Sequence, residues 1–64
     1  MKIKDLKIGD WFTIKSIENP KENQVYIRGE YDRIDKKYCC GRFDDISYSR
    51  QFDGNKEVYT DFTF

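Results

Sequence analysis

Apolar and polar residues alternate with a period of two along nearly every segment of this chain that lies between turn signals. Successive side chains on a strand point to opposite faces, so the pattern specifies strands rather than helices. In Trp11 to Ile17 it puts Phe12 and Ile14 on one face, expected to be core, and Trp11, Thr13 and Lys15 on the other. In Gln24 to Tyr31 it groups Val25, Ile27 and Tyr31 against Tyr26, Arg28 and Glu30. In Lys36 to Phe43 it sets Cys39, Gly41 and Phe43, the expected inner side, against Tyr38, Cys40 and Arg42. Ile46 to Phe52 alternates as well, and Val58, Thr60, Phe62 and Phe64 share one face up to the C-terminus, which predicts a terminal strand paired within the sheet.

The breaks between these segments carry turn chemistry. Gly9-Asp10 marks a bend, and Asp32 to Lys36 forms a polar turn around Ile34. Glu18 to Asn23 is polar and holds the single proline, Pro20, which predicts an exposed and mobile loop. Asp53-Gly54-Asn55-Lys56 is a strong hairpin signal and should join the fourth strand to a fifth. Gly29, falling in an inward register, lets a strand bend as a small closed barrel requires. The expectation is an all-β single domain over residues 1–64: a five-stranded antiparallel barrel of the SH3-like type with no substantial helix. An OB-fold fits less well because no segment supplies its helix.

The strand order resembles Tudor-like and KOW-like small barrels, a likeness of architecture that brings no function with it. The segments LKIGDWF, VYIRGEYDR, KKYCCGRFDD and VYTDFTF resemble short proteins encoded by bacteria, phages and mobile elements. That resemblance implies one domain in a microbial or phage setting and assigns no functional residue.

Chemistry is scarce in this composition. Sixty-four residues leave no room for a separate catalytic lobe, and the chain has no histidine, the commonest general base. Cys39 and Cys40 are vicinal, so in a strand they point apart: one packs inward and the other faces the surface. Two cysteines without histidine cannot close a zinc site within one chain, so no metal and no cofactor is expected. Asp44 and Asp45 are expected to shape a turn by accepting bonds from nearby amides, and no nucleophile or phosphate-loop motif occurs. The expectation is therefore a protein that is not an enzyme. Twelve basic residues balance twelve acidic ones, and no apolar run approaches the roughly 20 residues of a membrane span, which predicts a soluble cytoplasmic protein with no membrane partner.

What remains is an aromatic surface. Trp11, Tyr26 and Tyr59 fall in the outward register, with Arg28 beside Tyr26, and exposed aromatics next to arginine are typical anchors of protein interfaces. Trp11, Tyr26, Arg28 and Tyr59 are thus the expected partner-binding residues, and a protein is the first-choice partner. The alternative is single-stranded nucleic acid, its bases stacked on Trp11 or the tyrosines and its phosphates met by Arg28, Arg33, Lys36, Lys37 or Arg42. Zero net charge and the neighbouring Glu30, Asp32, Asp35, Asp44 and Asp45 count against it. A homodimer would also cover such aromatics, and the plain structural account has the rings packing across strands on one another and on the stems of Lys15 and Arg28.

Overall fold

The computed structural model describes residues 1–64 apart from the side chain of Ile46. The chain is all-β. After a 3-10 turn at Ile3–Asp5 come β1 (Trp11–Phe12), a second 3-10 turn at Glu22–Gln24, β2 (Tyr26–Asp32), β3 (Lys37–Arg42) and β4 (Asp45–Asp53). The four strands form one sheet in the order β1-β2-β3-β4, each antiparallel to its neighbours. Among the described residues no helix is long and apolar enough to cross a membrane.

The sheet is open, which corrects the expectation of a closed five-stranded barrel. The expected fifth strand contributes only two isolated bridges, Lys2↔Glu57 and Thr13↔Tyr59. The segment after the 53–56 turn runs back to the N-terminus, where Val58 N–H donates to the Met1 carbonyl at 2.8 Å and Ile3 N–H to that of Lys56 at 3.1 Å. Among the described residues it makes no backbone bond to the outer edge of β4. The first strand is also shorter than expected, because the Thr13 hydroxyl donates to the Lys15 carbonyl at 2.6 Å and turns the chain.

The local turns form as their residues require. Asp32 Oδ1 accepts from Ile34 N–H at 2.9 Å and Asp35 N–H at 3.3 Å, and Lys36 closes that turn at a φ of 55°. Asp53 Oδ1 accepts from Asn55 N–H at 2.9 Å. Asp45 Oδ1 likewise accepts from Ser47 N–H at 3.0 Å and from its hydroxyl at 2.7 Å. Gly29 lies in a bulge of β2 between Arg28 and Tyr31. Pro20, by contrast, is buried rather than exposed, since its loop folds back into the 3-10 turn at Glu22–Gln24.

The core consists of Ile3, Leu6, Phe12, Val25, Tyr26, Cys40, Phe52 and Val58, with Thr13 buried beside them. Phe12, Tyr26 and Phe52 form its aromatic centre, with ring centroids 5.6–5.8 Å apart. This reverses the inner face expected within β2 and β3, although Val25, just before β2, is fully buried as its register predicted. Phe12 pairs with Tyr26 and Tyr26 with Arg42, and residues directly opposite share a face, so Tyr26 must follow Phe12 inward. Alternation then carries Cys40 inward and leaves Cys39 half-buried on the other side, while Phe43 sits outside the core. Thr13 is buried despite its outward register because Tyr59 crosses it, exchanging two backbone bonds of 2.9 Å.

Candidate functional site

The sheet face opposite the core carries a cross-strand row, Trp11↔Ile27↔Gly41↔Ser49. At the β1 end of this row three rings meet. Trp11 lies 5.2 Å from Phe43 and 5.5 Å from Phe64, centroid to centroid, and Phe43 lies 4.8 Å from Phe64. All three contacts are edge-to-face, the arrangement the ring quadrupoles favour. Each ring is delivered by a different part of the chain. Trp11 comes from β1, Phe43 from the β3–β4 turn, where its N–H donates to the Val25 carbonyl at 2.9 Å, and Phe64 from the tail, held by Thr63 N–H on the Glu18 carbonyl at 2.9 Å. Trp11 remains 44% exposed and Phe64 46%.

The four residues expected to bind a partner are not brought together. Trp11 and Tyr59 lie at the surface, the latter 37% exposed. Tyr26 is 6% exposed and belongs to the core, for the register reason given above. Arg28 lies half-buried on the Tyr26 side of the sheet, its guanidinium 4.5 Å over the Tyr38 ring and its Nη1 donating to the Gly29 carbonyl at 2.6 Å. Its Nε is buried without a hydrogen-bond partner. Sequence reasoning missed Phe43 and Phe64 as surface residues, because both fell in registers assigned to the interior. The one usable signal was their position: Phe43 adjoins the Asp44-Asp45 turn and Phe64 ends the chain, where alternation binds least.

A second aromatic surface lies on the core side of the sheet, toward the β2–β3 turn. Tyr31 and Tyr38 pack at 4.8 Å and line a shallow groove of about 330 Å³ with Lys4, Lys36, Asp53, Gly54 and Asn55. The remaining arginines near the sheet are engaged within the chain. Arg42 donates through Nε to Asp44 at 2.6 Å while its guanidinium lies 4.5 Å over the Tyr48 ring, and the bond to Asp44 raises its pKa further. Arg50 lies 4.9 Å over Phe52. Bonds from the Ser47 hydroxyl and amide hold the Asp45 carboxyl below the usual range, and burial pushes the Cys40 thiol up. Among the described residues no group of three or more Cys, Asp or Glu gathers at metal-binding spacing.

No protein-family model matches the chain, and neither the curated proteins nor the solved structures contain a match to it.

Proposed function

We propose that this chain is a small non-enzymatic binding module that engages a protein partner through the Trp11, Phe43 and Phe64 rings. One observation carries the reading: three aromatic side chains from distant parts of the chain converge on one spot, yet two of them stay nearly half exposed. Rings assembled only to stabilise the sheet gain most by being covered, since stabilisation scales with apolar area removed from water. Rings left open and held rigid by edge-to-face contacts have the composition and pre-organisation of an interface anchor. Tyr59 stays in the proposal as an exposed neighbour, through its bridge to Thr13 two residues beyond Trp11. Tyr26 and Arg28 leave it.

The test compares tagged wild-type chain with Trp11→Ala, Phe64→Ala and, as a control, Tyr31→Ala, each first verified as folded by circular dichroism. Proteins retained from cell extract are quantified by mass spectrometry, and the best candidate is then titrated directly against each variant. Loss of about 2 kcal/mol or more, roughly 30-fold in affinity, is expected for the two patch variants and not for the control. Equal retention by all four chains would show that the rings are not the interface.

The groove beside Tyr31 supports a second reading, binding of single-stranded nucleic acid, because it combines an open ring with Lys4 and Lys36. It ranks second because Arg28 and Arg42, the arginines best placed to meet phosphates, are committed to Gly29, Tyr38, Asp44 and Tyr48. Titration of mixed-sequence single-stranded DNA and RNA at low salt decides it. Saturable binding that weakens steeply with added salt and is lost in Tyr31→Ala would promote this reading.

A further inference from the structure

The two edges of the sheet are treated differently. At the β1 edge, Thr13 exchanges two backbone bonds of 2.9 Å with Tyr59, so the returning segment covers the chain next to Phe12. At the β4 edge, among the described residues, no backbone bond joins residues 46–52 to anything except β3. Ser49, Arg50 and Gln51 are exposed there, and the strand contains neither proline nor glycine. An unpaired, uninterrupted edge strand is a template for another strand.

We propose that this edge pairs with β4 of a second copy of the chain, antiparallel and centred on Gln51, joining two open sheets into one across a two-fold axis. This goes beyond the aromatic-patch reading and uses a different surface. The register follows from the residues. Residues 46–48 bulge out of the β3 ladder, since Gly41 pairs with Ser49 and Arg42 with Asp45, and the 53–56 turn closes the other end. The regular edge is thus Ser49 to Asp53. A two-fold axis perpendicular to the sheet keeps the faces matched only if it passes between the strands, midway between one residue and the same residue of the second copy. Centring on Arg50 sets two guanidinium groups against each other, and centring on Phe52 runs the ladder into the Gly54 turn. Centring on Gln51 sets Arg50 opposite the buried Phe52 of the second copy, so neither guanidinium faces the other. It also sets Ser49 opposite Asp53 of the second copy, a hydroxyl donor facing a carboxylate, and the two Gln51 amides face each other. No like charges oppose. The chain's zero net charge adds no long-range repulsion between copies. A ladder this short buries well below the roughly 1,200 Å² of a tight complex, so association in the micromolar range or weaker is expected.

Sedimentation equilibrium over a wide concentration range should show a concentration-dependent dimer. Gln51→Lys, which sets two ammonium groups face to face, should be monomeric with an unchanged melting temperature, as should Gln51→Glu. An equimolar mixture of the two should dimerise again. In a Cys39→Ser background, needed because Cys39 lies opposite position 51 within the chain, Gln51→Cys should cross-link to itself under mild oxidation and Ser47→Cys should not. Trp11→Ala should remain a dimer, which separates this edge from the aromatic patch. A wild-type monomer at millimolar concentration, a dimer that Gln51→Lys leaves intact, failure of the mixture to re-associate, preferential cross-linking at position 47, or dissociation by Trp11→Ala would each overturn the proposal.

Discussion

Gly29 lies so close under the carbonyl of Cys39, across the β2–β3 pair, that a Cβ at position 29 would overlap the oxygen. The obstacle is backbone, which cannot swing aside as a side-chain tip would. Gly29→Ala should therefore destabilise the chain by about 1–3 kcal/mol, as over-packing does elsewhere. Gly41→Ala, whose Cβ would meet nothing nearer than 3.7 Å, is the matched control and should cost far less. Urea denaturation of both variants checks this, and equal midpoints would contradict the close approach.

Tyr26 and Trp11 should respond in opposite ways to truncation. Tyr26→Ala opens a hole between Phe12 and Phe52 and should cost about 3–5 kcal/mol, enough to unfold much of so small a domain. Trp11→Ala removes a half-exposed ring and should leave the chain folded. Thermal melts followed by circular dichroism distinguish them, and a folded Tyr26→Ala would argue for the outward register instead.

The C-terminal residues divide at Thr60. Ending the chain there removes Phe64 from Trp11 but keeps Val58, which is fully buried, and Tyr59, which bonds Thr13. The fold should persist while Trp11 emission shifts to longer wavelength as its ring is uncovered. Ending the chain at Lys56 should abolish folding, since it removes the fully buried Val58, its bond to the Met1 carbonyl and the Tyr59 bonds to Thr13. A folded 1–56 fragment would show that the returning segment is dispensable.

The two cysteines should differ in reactivity despite being adjacent. Burial raises the pKa of the Cys40 thiol and shields it, whereas Cys39 is half-buried on the other face. Iodoacetamide should label one thiol in the native protein, mapped by mass spectrometry to Cys39, and both in urea. Equal native labelling would be inconsistent with Cys40 in the core.

Acid should weaken the β3–β4 turn. The Asp45 carboxyl is held below its usual range by Ser47, so its ionised form favours folding. That contribution is complete above the ordinary aspartate value of about 4 and is lost as pH falls through the lower folded value. Melting temperatures measured between neutral pH and about pH 2 should fall more steeply for wild type than for Asp45→Asn. Superimposable profiles would remove the turn from the acid response.

Period-two alternation marked β2, β3 and β4 but overextended β1 and predicted a fifth strand that does not form, whereas the short-range chemistry of Asp32, Asp45 and Asp53 placed the turns, because these depend on neighbours a few residues away. Alternation also put the two cysteines on opposite faces. It could not say which face is inside, since both carry aromatic rings, and the answer lay in the pairing of Phe12 with Tyr26. Nor could it show that residues 57–59 would cross to Met1 and Thr13 instead of reaching β4, a choice made between segments more than forty residues apart in sequence. The open edge, the burial of Tyr26 and Thr13, and the meeting of Trp11, Phe43 and Phe64 all descend from those long-range contacts. Local periodicity fixes where a side chain can point, and only packing against distant residues decides what it meets there.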